Sequence, residues 1–155
     1  MPLKNYTTQV PAMKSIGQIQ GNLVAHGARA IMINYGPDKE PESMSFIVVS
    51  PQGEIPFRLP AKVAAVTTLL SSMGDPNYRK YDQVYQRQRA EKIQKQSARV
   101  AWRIIKDWID AQLAIIETEM VTLEQVFLPY MQVKDGQTLY EAMVERRFLL
   151  GEGRG

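Results

Sequence analysis

Cysteine is absent from the 155 residues. The chain therefore has no disulfide, thiolate metal ligand or cysteine nucleophile, a composition that fits a reducing compartment. Histidine occurs once, at His26, next to Gly27. That is too little for a zinc site, and a position at a helix end favours a structural role. No apolar run approaches the roughly 20 residues of a membrane-spanning helix, and MPLKNYTTQVP lacks the apolar core of a signal peptide. A soluble cytoplasmic protein with no membrane partner is expected. Glycine and proline vanish between Asp82 and Glu119.

With 45% hydrophobic residues, the chain is long enough to bury a core without staples. Residues 1–150 read as a single α+β domain, with a sheet-containing half over 1–74, a helical half over 78–150 and a disordered tail over 151–155. The net charge of +3 conceals a strong asymmetry. Residues 1–78 sum to +1, residues 79–106 to +7 and the remainder to −5. A basic segment thus lies beside an acidic one.

KNYTTQV has the composition of a short strand or an extended arm. Met13, Ile16, Ile19, Gln20 and Leu23 fall at helical spacing, with Ser15 and Gln18 as a capping box and Gly27 as the C-terminal αL residue. Gly17 and Gly21 lie four apart on one face, where a second backbone can approach closely. RAIMINY, SMSFIVVS and EIPFRL, joined by GPDKEPE and PQG, predict a three-stranded antiparallel meander, four-stranded if KNYTTQV joins it, with Pro56 on an edge. PAKVAAVTTLLSSMG reads as a helix with Pro60 at its first position and Gly74 at its end. The uninterrupted stretch from Asp82 to Glu119 predicts a helix of up to roughly 37 residues, about 55 Å long. Capping boxes at Thr122/Gln125 and Thr138/Glu141 announce two shorter helices.

Projected at 100° per residue, Arg89, Lys92, Lys95, Gln96, Arg99, Arg103 and Lys106 fall within an arc of about 120°, with isoleucines and Trp108 filling most of the rest. Trp102 lies at the boundary. Basic helix faces are usually solvated backs of core helices. This one places bases early and acids late, against its dipole, and sets like charges three and four apart. An anionic partner would offset both. A row of charges some 25 Å long matches a phosphate backbone better than a small ligand, and Tyr78, Tyr81 and Tyr85 interleave with Arg79 and Lys80 as in single-strand grooves. The candidate nucleic-acid contacts are Arg79, Lys80, Arg87, Arg89, Lys92, Lys95, Arg99, Arg103 and Lys106. Tyr78, Tyr81, Tyr85 and Trp102 are the candidate stacking residues. An acidic C-terminal part folded onto the row would remove this basis.

The order helix, three strands, helix also occurs in double-stranded-RNA-binding domains, but LPAKVAAV offers only Lys62 where that family has a lysine cluster. With a first strand at KNYTTQV, the order resembles the core of phage-type single-strand annealing proteins. ARVAWRIIKDWIDAQLAIIETEMVTLEQVFLPYM, Ala98 to Met131, resembles a family of small uncharacterised phage and prophage proteins. These resemblances imply a phage or mobile-element setting in the host cytoplasm and carry no activity.

Catalysis finds no support in the residues. Glu117 with Glu119, or Asp107 with Asp110, lacks the third carboxylate of a magnesium site, and GPDKEPE has no following Lys-Ser/Thr for a phosphate loop. The expectation is a non-enzymatic protein without cofactor or metal that binds nucleic acid, single-stranded DNA ahead of RNA. The alternative is a protein-binding phage factor that inhibits or adapts a host or defence protein, or a homo-oligomeric structural protein, with VTLEQVFLPYM and RRFLL as partner surface.

Overall fold

Alternating apolar residues and turn-rich connectors yield β1 (Ala28–Tyr35), β2 (Pro41–Ser50) and β3 (Gly53–Arg58), an antiparallel sheet in the order β1-β2-β3. The computed structural model describes residues 3–74 and 82–148. Register pairs Ile31 with Phe46, Phe46 with Phe57, and Val48 with Ile55, so these side chains share one face. Ala30, Ile47 and Pro56 line up on the other. Pro56 lies on an edge strand, as predicted.

Five helices accompany the sheet: α1 (Ala12–Ala25), α2 (Val63–Ser72), α3 (Gln83–Glu117), α4 (Leu123–Phe127) and α5 (Leu139–Glu145). The fold is α+β. The 35 residues of α3 match the stretch without glycine or proline, and Asp82 caps it by accepting a hydrogen bond from the Tyr85 N–H. Both predicted capping boxes form, at Thr122/Gln125 and Thr138/Glu141. No helix among the described residues is long and apolar enough to cross a membrane.

Four local expectations fail for physical reasons. KNYTTQV forms no strand: its amides close local turns, Tyr6 N–H to the Leu3 carbonyl and Thr8 N–H to Asn5. Met131 instead makes a single bridge to Phe57 on the β3 edge. Ser15 is not a cap, because Ala12 extends the buried stripe of Ile16, Ile19 and Leu23 a turn earlier and the helix starts after Pro11. Met13, expected on that stripe, is half exposed. Pro60 is not the first residue of α2, because Leu59 still donates its N–H to the Met44 carbonyl and holds the chain extended.

One core joins the two halves of the chain. Phe46 stacks on Phe57 at 5.2 Å, and Phe127 meets both edge-on. Trp108 stands edge-on to Phe127 at 5.7 Å. α1 packs on α3 and over β1, and α2 packs on the N-terminal half of α3.

Ser15 gives a test of this local account, since its Oγ is buried and without a hydrogen-bond partner. Ser15→Ala is expected to leave stability unchanged or raise it by up to about 1 kcal/mol in urea denaturation. Thr138→Ala, which removes a working cap, is expected to cost about 1 kcal/mol.

Candidate nucleic-acid interface

The basic row of α3 divides along the helix. α1 runs parallel to its C-terminal part along a polar seam: Arg103 donates to Gln18 at 3.0 Å, Asn22 to Asp110 at 2.8 Å, and His26 meets Glu117 at 2.9 Å. The steps of four on α1 and seven on α3 keep each member on one helix flank. The N-terminal arm lies along the same side. Gln96 donates to the Tyr6 and Thr8 carbonyls, while Asn5 donates to Asp107 at 2.9 Å. Arg99, Arg103 and Lys106 are consequently half-buried, and Lys106 pairs with Asp110 at 2.5 Å.

Arg89 has a structural partner too. Its guanidinium donates to the Met73 carbonyl at 3.1 Å, at the C-terminus of α2, where a cation complements the helix dipole. By contrast, Arg87, Lys92 and Lys95 are exposed and make no ion pair with any described residue. At 100° per residue Arg87 falls outside the row, on the flank of Gln94. Tyr78, Arg79, Lys80 and Tyr81 lie outside the described residues, and Tyr85 is half-buried in the first turn of α3.

Trp102 corrects the expectation of a stacking residue. It is 0% exposed, and its indole N–H donates to the Pro41 carbonyl at 3.2 Å. Pro41, at the start of β2, covers a position that a helical projection places at the boundary. An aromatic does reach the basic surface from elsewhere. Tyr6, partly exposed, lines a depression of about 280 Å³ together with Leu70, Met73, Arg89, Lys92 and Gln96. Lys4 adds charge beside Asp107, and Lys14 sits one turn before Gln18 on the same flank of α1. Lys4, Tyr6 and Lys14 carried no signal in the sequence, because only the folded arm and the α1 seam bring them to α3.

Among the described residues, the acidic part that follows α3 does not cover the row. Glu117 faces His26, Glu141 pairs with Arg58, and Glu145 accepts from Gln137; among the described residues the acids that meet the row lie within α3 itself, Asp110 paired with Lys106 and Asp107 acting on Arg103. The His26 ring also meets the Asn22 carbonyl of its own helix at 2.7 Å, so its contact with Glu117 ties the end of α1 to the end of α3. A second concavity, a groove of about 1070 Å³ between the β1–β2 connection, α2 and α3, carries Asp38, Glu40 and Glu42 on its rim. Those carboxylates repel a polyanion. Among the described residues no group of three or more His, Asp or Glu side chains is placed to hold a metal ion.

Asp107 anchors the arm, and its carboxyl is held below the ordinary aspartate value by the hydrogen bond from Asn5, then by Lys4 and Arg103, against desolvation. A lowered folded-state pKa means stability that is present above about pH 3.9 and lost as pH falls through the folded value. Asn5→Ala is therefore expected to destabilise the protein on the order of 1 kcal/mol at pH 7. In chemical denaturation that difference should shrink as the pH drops below 3.9. No family model matches the chain, and no curated protein or solved structure matches it.

Proposed function

We propose that the protein binds nucleic acid without catalysing a reaction, with single-stranded DNA as its preferred partner, in phage or mobile-element replication or recombination. One observation carries the proposal. Lys92 and Lys95 stand exposed and free of described ion pairs beside a depression that joins Arg89 to Tyr6. Cations in a row neutralise successive phosphates, and an aromatic at their margin offers a base a stacking surface. The half-buried Arg99 and Arg103 extend the row toward Lys14. Their hydrogen-bond partners are the neutral amides of Gln96 and Gln18; Arg103 also acts on the Asp107 carboxylate, so Arg99 is the less compensated of the two.

A protein-binding role is the second reading. It is favoured by exposed Tyr140, Val144 and Phe148 around α5, with the rings of Tyr140 and Phe148 6.2 Å apart. Such a patch would suit a protein partner.

Fluorescence anisotropy with a labelled oligonucleotide separates the two. Single-strand binding should weaken steeply with salt, and Lys92→Glu with Lys95→Glu should reduce the slope of log K against log salt by about 0.7 for each lost phosphate contact. Tyr6→Ala should weaken single-strand binding by roughly 1–3 kcal/mol if its ring stacks a base. Charge reversal at Arg103 would disturb the α1 seam and is the poorer test. Absence of binding to single strands, duplex DNA and RNA at low salt would sink the proposal.

A further inference from the structure

The groove between the β1–β2 connection, α2 and α3 is apolar along its length and acidic at its rim. Its lining runs from Val63 to Ser71 on α2 and from Ala90 to Ala98 on α3, roughly 12 Å along each helix. Ala64 and Ala65 of α2, with Ala90, Ile93 and Ala98 of α3, supply the apolar surface. Short side chains on two packed helices leave a gap that larger ones would fill. The Trp102 indole, which donates to the Pro41 carbonyl, anchors the end of the connection against α3. A volume of about 1070 Å³ stands at the upper limit of small-molecule sites. About two turns of helix, or about four extended residues, span 12 Å.

The negative charge comes from the connection. Asp38, Glu40 and Glu42 are exposed and make no ion pair with any described residue. The turn gathers two of them. A Cβ built on Gly36 would stand 2.6 Å from Glu42 Oε2 and 3.1 Å from Asp38 Oδ1, which sets these carboxylates within about 6 Å of each other, where like charges repel. Hydrogen bonds from the Gly36 N–H to the Glu40 carbonyl and from the Glu40 N–H to Asp38 Oδ1 hold that turn closed. Lys62 is the one base among the lining residues, so three acids face a single cation; Lys39 and Arg87 stand outside the lining.

We propose that this groove docks a short basic segment of a partner protein, whose arginines or lysines meet Asp38, Glu40 and Glu42 while its aliphatic side chains lie on the alanines and Ile93. Charge selects the occupant. The acidic rim rejects nucleic acid and acidic peptides, and a guanidinium set between neighbouring carboxylates makes charge-assisted hydrogen bonds that a neutral peptide cannot. At 100° per residue Ala90, Gln94 and Ala98 fall on a separate flank of α3 from Lys92 and Lys95. The two surfaces can therefore be occupied together, and the groove does not depend on the nucleic-acid reading.

Fluorescence anisotropy tests the groove with a labelled peptide library of arginine, leucine and alanine, against a control library of glutamate, leucine and alanine. The basic library should bind with an affinity that falls with salt, and the acidic one should not bind. Glu40→Gln with Glu42→Gln should weaken the basic library about fivefold. Ala64→Trp, at an exposed position, should fill the groove and abolish binding while the far-UV spectrum and melting stay those of the folded protein. Leu69→Trp, exposed on α2 outside the lining, should leave binding unchanged. Failure of both libraries to bind, equal binding of the two, or basic binding that survives both the glutamine pair and Ala64→Trp overturns the proposal. So does a doubled mass in light scattering that Ala64→Trp restores to 17.6 kDa, since a second copy would then occupy the groove. Oligonucleotide binding, read separately on the glutamine pair, should be unchanged, so the groove can fail without the functional reading, and the reverse.

Discussion

Parallel packing of α1 against α3 decides what the basic helix can do. The seam through Gln18, Asn22 and His26 requires polar residues on the flank of α3 that also carries its bases, so the two demands compete for the same positions. Arg103 meets both in part: it donates to the neutral Gln18 amide, while Asp107 offsets some of its charge. Lys106 does not, since Asp110 neutralises it. The unfavourable charge order along α3 therefore has two explanations. Near the C-terminal end, bases and acids alternate to hold α1 and the arm. Near the N-terminal end, Lys92 and Lys95 have no such employment, and Glu91 is the one acid of that stretch beside them.

The same seam explains what could be read from the sequence. The strands, the length of α3 and both Thr capping boxes depend on signals a few residues apart, and each appears where those signals place it. The local motifs at Ser15 and Pro60 are overridden by burial of Ala12 and Leu59, contacts made with distant segments. Trp102 shows the limit of a helical projection: the angle is correct, but which distant segment closes over it, here Pro41, is a tertiary property. Arg89 was legible as a base of the row but not as the partner of the α2 C-terminus, sixteen residues away. Tyr6 and Lys4 belong to an arm whose course is set by Gln96 and Asp107, and no pattern within the arm announces it.

The length of the open row limits what a strand could meet on α3. Lys92 and Lys95 stand exposed ahead of the arm, whereas Arg99 and Arg103 are half-buried beside the arm and α1. A strand laid along the row would therefore meet its open charges toward the N-terminal end of α3, with the ring of Tyr6 beside them. Binding through phosphates and occasional stacking is indifferent to base sequence.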